Sequence, residues 1–124
     1  MLHKFSIGTA NFTQPYGVLS QGKVVPPQEV QSILNTALSN GITDFDTAFN
    51  YGNIQEHLSP LKSTRNIRLV NKFSVLDNYD ALYDQIKSIC DSNDFKSFHG
   101  FLVHDPQNIA QANKKKLTTF FDRL

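Results

Sequence analysis

Asp46, Tyr51, Lys72 and His104 are the residues of this 124-residue chain whose types and spacing suit chemistry. Asp46 lies in the strand-like segment Ile42–Ala48, and Tyr51 follows it five residues later. Lys72 comes near the end of the next such segment, Ile67–Phe73, and His104 ends the one after, Phe98–His104. A phenol alone is a poor proton donor at neutral pH, whereas an ammonium beside it stabilises the phenolate it becomes. A carboxylate such as Asp46 can hold Lys72 charged and oriented, and His104 can hydrogen-bond a substrate oxygen. Such a set suits protonation of a carbonyl oxygen while hydride arrives at its carbon.

These side chains need a scaffold that brings them to one edge. Residues 4–10 read as a short strand, followed by a loop rich in Gly, Pro, Gln and Ser that is long for a connector. Pro26-Pro27 then opens a helix whose apolar face is Val30, Ile33, Leu34, Ala37 and Leu38, with Gly41 as its stop. Ile42–Ala48 is the second strand, Gln55–Leu61 a weaker helix and Ile67–Phe73 the third strand. A third helix from Tyr79 to Cys90 groups Leu82, Ile86, Ile89 and Cys90, and Phe98–His104 is the fourth strand, closed by Asp105-Pro106.

The last helix falls within Asn113–Leu124, with Leu117, Phe120, Phe121 and Leu124 at helical spacing. Three positive charges at Lys114, Lys115 and Lys116 oppose the helix dipole, so the helix is expected to begin after them. The alternation is α/β: four βα units with parallel strands and no hairpin signal, read as a single domain over residues 1–124. Such units make either a small doubly wound sheet or half of a (β/α)8 TIM barrel, which typically needs about 250 residues. In both architectures the C-terminal strand ends build the active site, and all four polar residues fall there. The inward face of a half-barrel would carry Ile7, Val70 and Leu102.

Composition narrows the function classes. The chain is 40% hydrophobic and 19% charged, and twelve basic against eleven acidic residues leave a net charge of +1, so no global field favours nucleic acid or a membrane surface. Cys90 is the single cysteine, which excludes an internal disulfide and fits a reducing, cytoplasmic setting, and nothing near it in sequence would activate the thiol. No metal site is expected, because His3, His57 and His99 have no ligand spacing. No apolar run approaches the roughly 20 residues of a membrane helix, and no GxGxxG supplies a Rossmann phosphate turn. The ten Phe and four Tyr fall mostly on predicted strands and apolar helix faces, which makes them core.

Gly8-Thr9-Ala10-Asn11-Phe12, Pro15-Tyr16-Gly17, Gly41 to Ala48, Tyr51-Gly52, Lys72 and Leu102-Val103-His104-Asp105-Pro106 together resemble the aldo-keto reductases, particularly the bacterial polysaccharide-biosynthesis type. The resemblance covers essentially the whole chain and implies the N-terminal half of the barrel. It implies Tyr51 as general acid, Lys72 as the residue that eases its ionisation, Asp46 as the lysine's partner and His104 as the residue that orients substrate. Gly8 and Thr9 would approach the nicotinamide of NADPH, and the substrate would be an aldehyde or ketone, with a sugar derivative as one class. Ile54-Gln55 stands where the family often has Ser-Glu, and Asp44 has no counterpart role.

The family's remaining cofactor contacts would lie beyond Leu124, so NADPH binding by this chain alone is expected to be weak. The alternative reading is a catalytically inactive truncated fragment or half-barrel. Its expected partners are a second copy, giving a homodimer, or a C-terminal half-barrel.

Overall fold

The computed structural model describes residues 5–58, 61, 64, 66–76, 78–91 and 98–124 in full, and the backbone of 92 and 93. The order is β1 (Ser6–Gly8), α1 (Pro27–Ser39), β2 (Asp44–Asp46), α2 (Ile54–His57), β3 (Arg68–Phe73), α3 (Tyr79–Asn93), β4 (Gly100–Val103) and α4 (Lys114–Arg123). The four strands form one parallel sheet in sequence order, with Gly8 beside Asp46, Asp46 beside Val70, and Lys72 beside Leu102. This is the arrangement of half a (β/α)8 barrel.

Each element follows from local chemistry. Pro27 opens α1 where no amide partner is needed, and Gly41, at φ +74°, takes the left-handed turn after it, so that the Ile42 amide returns to the Ala37 carbonyl at 2.9 Å. Val30, Leu34 and Ala37 turn inward from α1. The long connection after β1 is tied into a loop by Asn11: its side-chain amide donates to the Gln14 and Lys23 carbonyls at 3.0 and 2.8 Å, and its own carbonyl accepts from Val25 at 3.0 Å. α3 is capped by the Asn78 side chain, which accepts from the Asp80 and Ala81 amides.

The strands alternate cleanly. Phe45 of β2 and Leu69, Asn71 and Phe73 of β3 are buried against the helices, while Asp44, Asp46, Arg68, Val70 and Lys72 occupy the concave face. Phe45, Leu69, Leu34 and Ile54 belong to one core cluster, and Phe73, Leu82, Ile86 and Phe120 to a second. Burying each such side chain contributes about 1.5–3 kcal/mol. Within the second cluster, Phe120 of α4 meets Phe73 at 5.6 Å and Tyr79 at 5.3 Å between ring centroids.

Four expectations change. Ile7 is not on the concave face: it is level with Phe45 and packs on the helix side, because Ser6 and Gly8 take the concave positions in the two-residue period. α4 begins at Lys114 rather than after the lysines, because the Asn113 side chain accepts from the Lys116 amide at 3.0 Å, a cap strong enough to offset the unfavourable charges. β2 is shorter than Ile42–Ala48, although its pairing runs on through Thr47 and Phe49, whose amides donate to Val70 and Lys72. α2 spans Ile54–His57 rather than Gln55–Leu61, with Leu58 as its C-cap and Leu61 outside the α-helix; residues 59–60 lie outside the described residues.

Candidate active site at the strand ends

The strand ends converge on one open cleft of about 580 Å³, whose lining includes Gly8, Asp46, Tyr51, Lys72, Leu102 and His104. Lys72 arrives through the alternation of β3, in which Leu69, Asn71 and Phe73 are committed to the core and Lys72 to the concave side. Its ammonium forms an ion pair and hydrogen bond with Asp46 and donates to the Thr47 carbonyl at 3.4 Å. The Lys72 side chain is about one-fifth exposed, so the pair is shielded more than a surface ion pair yet still reaches solvent.

Tyr51 reaches the same place from the loop after β2. The Phe49 amide is held by the Lys72 carbonyl at 3.1 Å and the Tyr51 amide by Ala48 at 3.2 Å, which folds the chain back over the strand ends. The phenol ring is buried, with the Lys72 ammonium 5.7 Å from its centroid. His104 is held by its amide to Phe73 at 2.8 Å and meets the Tyr51 ring edge to face, at 5.7 Å between centroids and 86° between planes. The Nδ1 of His104 is buried without a hydrogen-bond partner.

All four sequence-predicted catalytic residues therefore meet around one cleft. Gly8 and Thr9 divide. A Cβ built on Gly8 meets nothing within 4 Å, so the cleft is open above it. Thr9 is fully buried, and both its amide and its hydroxyl donate to the Asp46 carbonyl, at 3.0 and 3.1 Å, so it holds the end of β2. Asp44 lies two residues below Asp46 and pairs with Arg68; that hydrogen bond, then the charge itself, raises the Arg68 pKa above its ordinary value.

Two residues join the site that sequence reasoning had not placed there. Tyr16, exposed at the tip of the Asn11-tied loop, lines the cleft. Asn71 is fully buried behind Lys72 and accepts the Lys72 amide at 2.8 Å. Its signal was readable: an amide between Leu69 and Phe73, on the face those residues give to the core. His57 is half-buried, His99 is exposed, and His3 lies outside the described residues. Cys90 sits half-buried beside the second core cluster, its thiol pKa pushed up by burial and then by Asp91. No helix among the described residues is long and apolar enough to cross a membrane.

The fold and the strand-end site define an α/β half-barrel of the kind that carries catalytic groups on its C-terminal rim. The model of the aldo/keto reductase family matches residues 4–117, and the chain belongs to that family. A solved structure of a candidate aldo-keto reductase from Pseudomonas aeruginosa superposes with a TM-score of 0.64 at 21% identity. The match covers 92% of this chain and 49% of that one, so the chain spans about half the length of its structural relative. A search of curated proteins finds no significant match.

Proposed function

We propose that this chain supplies the acid–base half of a carbonyl reductase site, acting on an aldehyde or ketone with NADPH in an assembly that completes the barrel. One observation carries the reading: a buried phenol, an ion-paired ammonium and an imidazole surround one cleft at the strand ends. In this reading the Tyr51 hydroxyl gives its proton to the carbonyl oxygen, and the Lys72 ammonium stabilises the phenolate that remains. Asp46 keeps that ammonium in place. His104, whose ring meets that of Tyr51 beside the cleft, steers the substrate oxygen toward Tyr51.

The residues present fit the reacting end of a nicotinamide cofactor, because the cleft is open above Gly8. Gly8 would line the nicotinamide ring directly, and Thr9 would act through its hold on Asp46. The cofactor would supply the hydride. A sugar derivative is one class of substrate in keeping with the family resemblance, and the single free thiol of Cys90 is in keeping with a reducing, cytoplasmic setting. A second reading, a half-barrel whose work is association, is favoured by Leu102, which is 50% exposed on the concave face.

The test is carbonyl reduction by the chain refolded with a complementary C-terminal half-barrel. Tyr51→Phe is expected to lower the rate about 10²–10⁴-fold, the usual loss for a general acid, and to leave NADPH affinity nearly unchanged. Reduction by the variant within a few-fold of the unaltered chain would remove Tyr51 from the role.

A further inference from the structure

Asp46 and Lys72 stand on the concave face of the sheet, and the alternation of the strands puts Thr47 and Asn71 directly behind them, on the helix face. Both are fully buried. One step past Asp46 and Val70, the β2–β3 register brings Thr47 level with Asn71, and the Thr47 amide donates to the Val70 carbonyl at 2.9 Å, as parallel pairing requires. Each of the two also touches Lys72. The Thr47 carbonyl accepts from the Lys72 ammonium at 3.4 Å, and Asn71 Oδ1 accepts from the Lys72 amide at 2.8 Å. An amide N–H only donates, so Oδ1 is the atom turned toward it, which leaves Asn71 Nδ2, a donor, for the other direction. Nδ2 and the Thr47 hydroxyl are both buried without a hydrogen-bond partner. A donor and an acceptor buried apart are unfavourable. Neighbouring strands run about 4.8 Å apart, so the two can join directly after a side-chain rotation or across one water.

We propose that Thr47 and Asn71 are positioning residues for the proton-transfer site: their buried polar atoms join in a cross-strand rung that fixes the end of β2 against the end of β3 and so sets where the Lys72 ammonium stands beside Asp46. Its effect on turnover rests on the carbonyl-reduction reading, while the rung itself needs only the fold of this chain. β2 is three residues long and has few backbone bonds to hold its end. From the β1 side the Thr9 hydroxyl holds the Asp46 carbonyl; the rung does the same from the β3 side. A lysine fixed in this way is preorganised to steady the phenolate of Tyr51, whereas one free to swing does so only part of the time.

Thr47→Val separates this role from a merely structural one. If the hydroxyl is only a buried orphan, valine of nearly the same shape leaves the chain as stable or more so and does nothing to Lys72. The rung predicts a change at Lys72. Timed acetylation of the folded chain with acetic anhydride, quantified at each lysine by mass spectrometry, uses exposed Lys115 as its internal reference. Lys72 is expected to react about two- to tenfold faster in Thr47→Val, the span covered by the net contribution of one hydrogen bond. Thr47→Ser keeps the hydroxyl and is expected to restore the protection. Thermal unfolding checks that each variant is folded; should valine prevent folding, Thr47→Ala against Thr47→Ser makes the same comparison. In the barrel completed with a C-terminal half, Thr47→Val is expected to lower kcat by a similar factor with KM unchanged. Tyr51→Phe measured beside it tells the two ideas apart. Undiminished reduction by Tyr51→Phe removes the carbonyl-reduction reading, and with it the effect on turnover. Reduction lost in Tyr51→Phe but kept in full by Thr47→Val overturns the positioning role alone. Unchanged Lys72 labelling in the folded valine variant, or the same change in the serine variant, overturns the rung.

Discussion

Two carboxylates on one strand face do different work because of what stands opposite. Asp44 is level with Arg68 across the β2–β3 pair and closes an ion pair at the foot of the concave face. Asp46 is level with Val70, which cannot answer it, and so takes Lys72 from the next concave position up. Lys72 is held at both ends, its ammonium by Asp46 and its amide by the buried Asn71 side chain. Asn71→Ala leaves that amide without its acceptor and is expected to cost about 2 kcal/mol, within the usual range for orphaning a buried donor. Urea unfolding checks this, and an unchanged midpoint would show that the Asn71 contact does not hold the strand end.

At the scale of the element, α4 shows how one polar residue sets a helix boundary. Lys114, Lys115 and Lys116 put positive charge where the helix dipole is already positive, yet the helix starts at Lys114. The Asn113 cap is one reason and the packing of Phe120 between Phe73 and Tyr79 another; Arg123 adds an ion pair to Asp80 and stacks 4.1 Å from the Tyr83 ring centroid. Asn113→Ala is expected to lower stability by about 1 kcal/mol, read as a lower thermal midpoint. Lys115→Glu should act in the opposite direction by about 0.3–1 kcal/mol at low salt, with the gain fading as salt is added. A cap variant as stable as the unaltered chain would mean that the aromatic packing alone sets where α4 begins.

For the molecule as a whole, the decisive feature is an open sheet with a finished outer core and an unfilled inner face. Dinucleotide affinity is gathered along the whole ligand, and the cleft of about 580 Å³ offers surface to its reacting end. The isolated chain is therefore expected to bind NADPH more weakly than micromolar, that is, less favourably than about −8 kcal/mol. Calorimetric titration measures this directly. Micromolar or tighter binding would mean that the described surface holds phosphate or adenosine contacts of its own.

The order of βα units, the apolar faces of α1 and α3 and the strand-end positions of Asp46, Lys72 and His104 were all legible in the sequence, because each depends on local periodicity and on turn residues such as Pro27 and Gly41. The face taken by Ile7 was not, since in a three-residue strand the phase comes from pairing with β2 and not from any pattern of its own. The start of α4 was missed for a related reason: charge argued against it, and the cap and aromatic contacts that override charge are made by atoms brought together in folding. The partner of Asp44 required the β2–β3 register, which brings residues 24 apart in sequence into line. Local chemistry determined which residues could act; tertiary pairing decided which of them meet, because register and packing bring together residues that no local pattern connects.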